Sequence, residues 1–240
     1  MTATPSDAPS GSGPGPGSGF AAPRGGLVIG DTVLGTGVRS ARRAVDDGLI
    51  GVPVAACAFI TASGPERPYP ASELYDRPGG GPLFDTGPHH ISALVHLLGP
   101  VSRVTATAPP PRAGESFEAE ADTQVTGLLE HASGALTTLV MNSGAHEGRL
   151  PRIEVHGTEG SLSLPDPDGS DGPVELHRAG GAWEPLPVSR ASGGCRSAGR
   201  APGELARHVL DVMLTLLDAA RDGVWLPVRG DRARPEAVRP

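Results

Sequence analysis

An aspartate and two histidines stand at the head of an apolar run. The segment reads Phe84-Asp85-Thr86-Gly87-Pro88-His89-His90, and Ile91, Leu94, Val95 and Leu98 follow it. A carboxylate and an imidazole four residues apart face the same way across one helical turn. A helix N-terminus favours the carboxylate and disfavours an imidazolium, leaving an imidazole that can exchange a proton. Asp85 and His89 are therefore the candidate acid–base pair. The plainer reading is that Asp85 or Thr86 only caps the helix, with His89 a polar surface residue. His90 is adjacent and points away from the His89 face. With Tyr75 and Arg77 in the preceding loop, it is nevertheless a candidate contact for a hydroxyl-bearing ligand. His96 lies one heptad beyond His89, so Asp85, His89 and His96 form a candidate metal set. The spacing matches no zinc signature and lacks a fourth ligand, so no metal is expected. His156 and His208 read as packing or surface histidines, and Met213 as core.

The elements that must hold these groups come from a chain of 240 residues, a length that suits one domain or two small ones. Only 3% of residues are aromatic, so the core is built from Leu, Val, Ile and Ala. The net charge of -7 comes with no basic stripe, which argues against a nucleic-acid partner. Every one of the 20 basic residues counted as Lys+Arg is Arg. Arg does not deprotonate in proteins, so no side-chain amine is available as a base. Cys57 and Cys195 make no disulfide framework, and Cys57, in an apolar run, reads as a small buried hydrophobe. No basic start with an apolar stretch marks a signal peptide, and no run reaches the ~18 apolar residues of a membrane span. A reducing cytoplasm is the expected setting.

Residues 1–26 are rich in Pro, Gly and Ser and read as a disordered tail. Leu27-Val28-Ile29 is a short strand candidate. Residues 31–47 carry Leu34, Val38, Ala41 and Val45 at helical spacing, with Gly48 as the stop. Residues 52–61 read as a buried strand, and 64–81 as a long loop. A helix opens at Pro88, suited to the first helical position, and ends at Gly99-Pro100. Strands are expected over 101–108, 124–130, 135–141, 152–156, 161–164, 174–177 and 183–188, with a turn at residues 131–134. Residues 189–202 have no period. Residues 204–222 form an amphipathic helix through Leu205, Val209, Val212, Met213, Leu216 and Ala220. The fold class is α+β: a largely antiparallel, open β-sheet covered on one face by about three helices. No repeat, no βαβα alternation and no G-x-G-x-x-G between a strand and a helix is present. Gly30, Gly35 and Gly37 are a false lead, because no strand of adequate length precedes them.

Four segments in order resemble the glucose–fructose oxidoreductase / inositol dehydrogenase (Gfo/Idh/MocA) family. Residues 31–35 through 48–54 look like the helix and strand that join its two domains. Gly79-Gly80-Gly81-Pro82-Leu83-Phe84-Asp85-Thr86-Gly87-Pro88-His89 is similar to its Gly-rich turn and D-x-G-x-H helix start. His156-Gly157-Thr158-Glu159-Gly160-Ser161-Leu162 resembles its G-T-E-G-S-L hairpin, and residues 204–223 its closing helix. The resemblance implies a dihydrodipicolinate-reductase-like C-terminal domain over residues 27–228, with a flexible tail at 229–240. It implies that Asp85 and His89 assist a catalytic Lys at a sugar or cyclitol hydroxyl, with NAD or NADP as cofactor. Family members begin with a Rossmann domain and carry an E-K-P motif. The 26 residues before Leu27 are too few for that fold, and no Lys is present. The chain is therefore expected to bind no NAD(P) alone: either a Rossmann subunit is supplied in trans or the chain is an incomplete, truncated product. The family also implies a homo-oligomer through the open sheet face. A non-catalytic oligomerisation or sugar-binding module remains the alternative.

Overall fold

The computed structural model describes residues 35–61, 82–108, 124–142, 150, 152–167, 172–187 and 203–229. The proposed tails at 1–26 and beyond 229, the strand at 27–29, and the loops at 64–81 and 189–202 lie outside the described residues. So do Tyr75, Arg77, Cys195 and the side chain of Asp85.

Helix α1 (Thr36–Asp46) turns Val38, Ala41, Ala44 and Val45 inward. It ends where expected. Gly48 takes φ 74°, its N–H donates to Val45 O at 3.1 Å, and the Leu49 N–H reaches Ala44 O at 2.9 Å. This left-handed close satisfies the last helical carbonyls, and glycine has no Cβ to oppose it. A one-turn helix α2 (Pro82–Asp85) leads through Thr86 into α3 (Gly87–Leu98), where Pro88 takes the second helical position rather than the first. Helix α4 (Gly203–Asp222) buries Leu205, Ala206, Val209, Val212, Met213, Leu216 and Ala219, so Ala219 replaces Ala220 in the expected stripe.

Among the described residues nine strands follow in chain order: β1 (Pro53–Thr61), β2 (Val101–Thr107), β3 (Gln124–His131), β4 (Leu136–Asn142), β5 (Ile153–Gly157), β6 (Gly160–Leu164), β7 (Glu175–Arg178), β8 (Glu184–Pro185) and β9 (Leu226–Pro227). They make one sheet in the order β8-β7-β6-β5-β1-β4-β3-β2-β9. Among the described residues only β1 and β4 pair in parallel, Ala56 opposite Thr137 and Ala58 opposite Leu139. The fold is α+β with a largely antiparallel sheet. The expected strand at 183–188 shrinks to two residues, and β9, which had no sequence signal, caps the other edge.

Period-two alternation sets the two faces of the sheet. Ala56, Ala58 and Ile60 point inward with Val125, Leu129, Leu139, Met141, Ile153, Val155 and Leu162, all buried. The helices pack on this face. Gly127 on β3 is where α4 comes closest: a Cβ there would sit 2.8 Å from Leu216 Cδ2 and 3.1 Å from Thr105 O. The opposite face carries Cys57, Phe59, Leu128 and Val140, all half-buried, and among the described residues no layer covers it. This corrects the reading of 52–61 as a buried strand and of Cys57 as a small buried hydrophobe: one face of the strand is only half-buried. Cys57 lies on the open side, because its neighbours Ala56 and Ala58 fill the inner one, and Val54 is 48% exposed. Burial and then the Glu154 carboxylate push the Cys57 thiol up from its ordinary value.

Buried histidines tie the helix ends to the sheet. His131 Nδ1 donates to Gly99 O at 2.8 Å, and its Nε2 accepts from the Thr137 hydroxyl at 2.9 Å. His208 on α4 accepts the Val101 N–H at 3.0 Å through Nε2. His208 is thus a packing histidine. His156 is more open, with its Nδ1 3.0 Å from Ser161 Oγ.

Candidate functional site

One end of the sheet gathers the chemistry. The C-terminal ends of β1 and β4 lie side by side there, Thr61 opposite Asn142, and β5 begins and β6 finishes beside them. The mouth of α3 meets this end. Gly87 allows the approach: a Cβ would lie 3.3 Å from Leu83 Cδ1, 3.4 Å from Met213 Sδ and 3.6 Å from Met141 Cε. Glycine therefore lets the first turn of α3 settle on α4 and β4.

His89 is the third residue of α3 and is half-buried. Asp85 belongs to α2, with the Thr86 junction between them, so the two do not share one helix. Thr86 keeps near-helical backbone (φ -99°, ψ -22°) and occupies the N-cap position without a side-chain capping bond. Its carbonyl accepts from His90 Nδ1 at 3.2 Å.

His90 is buried, and its Nε2 lies 4.0 Å from Asp166 Oδ1. Arg152 Nε lies 3.4 Å from Asp166 Oδ2. The Arg152 Nη1 donates to Thr61 O at 3.1 Å, which anchors the guanidinium to the end of β1. Burial pulls the His90 imidazole down to about 4, with His89 and Arg152 adding to the shift and the Thr86 carbonyl and Asp166 opposing it. His90 is neutral near pH 7 as a result.

The structure thus brings His89 and His90 to one mouth and adds Arg152 and Asp166, which the sequence did not suggest. Arg152 stood only as the first residue of an expected strand and Asp166 lies just beyond another, so no spacing marked either as a site residue. His96 is buried farther along α3, where its carbonyl accepts from Arg42 Nη1 at 2.7 Å. Among the described residues no three His, Cys, Asp or Glu side chains cluster to hold a metal. No described helix is long and apolar enough to cross a membrane. Among the described residues no glycine-rich loop joins a strand to a helix, and one parallel pair does not make a doubly wound sheet. The described residues offer no dinucleotide cradle.

The GFO/IDH/MocA C-terminal domain model matches residues 38–163, a little over half of the chain. The chain belongs to the GFO/IDH/MocA family through that C-terminal domain. No curated protein matches it by sequence. Solved structures share the fold. An NAD binding oxidoreductase from Klebsiella pneumoniae superposes with TM-score 0.67 at 21% identity, covering 84% of this chain and 65% of that one. Aldose-aldose oxidoreductase from Caulobacter crescentus, complexed with glycerol, gives TM-score 0.70 at 21% identity, covering 82% of this chain and 62% of that one. Levoglucosan dehydrogenase, in complex with NADH and L-sorbose, gives 0.64 at 19% identity, covering 83% and 64%. The chain spans less than two thirds of the length of each.

Proposed function

We propose that this chain is the substrate-side domain of an NAD(P)-dependent oxidoreductase acting on a CH–OH group of a sugar or cyclitol. The supporting observation is His89, held half-open at the α3 mouth where the ends of β1 and β4 meet, in a domain of this family. His89 exchanges the proton of the substrate hydroxyl, and Asp85 assists from the preceding turn. Tyr75 and Arg77 contact further hydroxyls. Bound nicotinamide supplies the hydride acceptor in such a reaction. The chain as given has no Lys for the family's proton transfer and no nucleotide cradle among its described residues, so a Rossmann domain outside them supplies the nucleotide-binding fold and the lysine. The chain works in a reducing cytoplasm, consistent with the free thiol of Cys57.

A titration followed by nicotinamide fluorescence tests this. The purified chain is expected to leave NADH emission unchanged, and micromolar binding contradicts the assignment. Binding of myo-inositol or D-glucose that weakens on His89→Ala supports it.

A second reading has its own support. Phe59, Leu128 and Val140 lie half-buried on the open sheet face, and Leu136 beside them is 39% exposed. That surface suits a second copy of the chain, so an oligomerisation or sugar-binding module without catalysis is the alternative.

A further inference from the structure

Two donors from one residue converge on the Thr86 carbonyl. The His90 backbone N–H reaches it at 3.5 Å, long for the opening bond of a helix, and the His90 ring reaches it through Nδ1 at 3.2 Å. A carbonyl oxygen only accepts, so the ring proton sits on Nδ1. Thr86 has turned away from ideal helical backbone, at φ -99°, ψ -22° against about -63°, -42°. The first turn of α3 is thus stretched at its start, and the imidazole bridges the stretch.

The ring carries a cost at its other end. Nε2 is buried, makes no hydrogen bond, and lies 4.0 Å from Asp166 Oδ1, beyond bonding reach. A buried nitrogen without a partner is unfavourable, and an apolar side chain of similar size fills such a place without that cost. His90 is 2% exposed, so neither solvent nor a ligand relieves it. What the imidazole supplies that an apolar group cannot is the Nδ1 donor. Gly87, the residue after Thr86, is settled against Leu83, Met213 and Met141. Packing therefore fixes one side of the α2–α3 junction, and the ring fixes the other.

We infer that His90 is a positioning residue: its Nδ1–H on the Thr86 carbonyl sets the α2–α3 junction, and through it the backbone from which Asp85 and His89 meet the mouth. Thr86 directly follows Asp85 and stands three residues before His89, so a shift at this carbonyl moves both. A misplacement of about 1 Å can cost a reacting group roughly a hundredfold. The inference rests on the reading of His89 as the proton-exchanging group. His90 acts through Thr86 and touches no ligand.

The test uses the purified chain, with nitrogen-15 NMR of the imidazoles, amide exchange, and calorimetry on myo-inositol and D-glucose. At pH 7 the His90 ring is expected to be protonated on Nδ1 and bare on Nε2. Protonation on Nε2 alone overturns the inference, and this readout needs no variant to fold. His90→Asn keeps an N–H at the place of Nδ1, His90→Gln carries it one bond farther out, and His90→Phe has none. His90→Phe and His90→Gln are expected to weaken polyol binding by roughly tenfold, the size of one hydrogen bond, and to speed amide exchange at residues 90 and 91. His90→Asn is expected to restore both, a recovery that filling the space alone does not give. Should His90→Phe not fold, the comparison of His90→Asn with His90→Gln decides. Equal binding by wild type and the folded variants, or a loss that His90→Asn shares, overturns the inference and leaves the function at His89 intact. If wild type binds neither polyol, the polyol reading falls and amide exchange decides the positioning role. Protection lost in His90→Gln and restored in His90→Asn supports it, and unchanged protection overturns it.

Discussion

Arg42 of α1 reaches the last turn of α3. Its Nη1 donates to His96 O at 2.7 Å, while Nε holds Asp46 at 2.7 Å. A guanidinium fork can grip a carbonyl on one helix and a carboxylate on its own at once. Arg42 is 8% exposed, so little solvent replaces it. Arg42→Met is expected to lower unfolding free energy by about 1.5–3 kcal/mol, the range for a hydrogen bond to a charged group. Arg42→Lys recovers only part, because an ammonium is a single point donor. Urea denaturation checks both, and full recovery by lysine contradicts the fork.

Acid should weaken this fold through two rings. Burial holds His90 and His131 down at about 4, with the His131 shift opposed by the Gly99 carbonyl and deepened slightly by His208. In the unfolded chain each ring titrates near its ordinary value of about 6.5. Between those values the unfolded state binds more protons than the folded one. Stability is therefore complete above pH 6.5 and is lost as pH falls toward 4, on the order of a few kcal/mol for each ring. Urea midpoints at pH 7.5, 6, 5 and 4 read this directly. A flat profile across that window contradicts neutral buried imidazoles.

Leu216 and Gly127 meet where α4 crosses β3. Leu216→Ala is expected to cost about 2–5 kcal/mol for the cavity it leaves. Gly127→Ala inserts a methyl against Leu216 and is expected to cost about 1–3 kcal/mol. In the double variant the methyl enters space vacated by leucine, so the two losses add to less than their sum. Additive losses would show that the Thr105 carbonyl, not Leu216, is what resists the methyl.

The uncovered sheet face gives a test of assembly. Light scattering at tens of micromolar is expected to show an oligomer, and Val140→Arg to reduce it to monomer without loss of secondary structure. A wild-type monomer contradicts the second-copy proposal.

His89→Ala removes a half-buried ring, and its thermal midpoint is expected to stay close to wild type while polyol binding falls. A large thermal loss instead favours a structural role for His89.

Much of this architecture was legible because hydrophobic spacing records which side of an element faces the core. The α4 stripe and the alternation of Val125, Leu129, Leu139 and Met141 are such records. Gly48, Gly134 and Gly99 marked chain reversals through backbone freedom that only glycine has at low cost. The Cys57 side was misjudged because a run of small apolar residues shows no contrast between its two faces. The candidate site was half legible. Asp85 and His89 stood out by spacing, but Arg152 and Asp166 come from opposite ends of the β5–β6 hairpin. Only pairing of those strands brings them together, and pairing leaves no mark in local spacing.

The placement of β1 has a consequence for how the molecule is made. Strands β2 to β4 and strands β5 to β8 each pair with their sequence neighbours, so each set can assemble by itself. Ala56 of β1 meets Thr137 on one side and Val155 on the other. Strand β1, which precedes both its flanks in the chain, must therefore wait for them to be synthesised. Until they arrive its two edges stand open, and a chaperone or a sibling nascent chain competes for them.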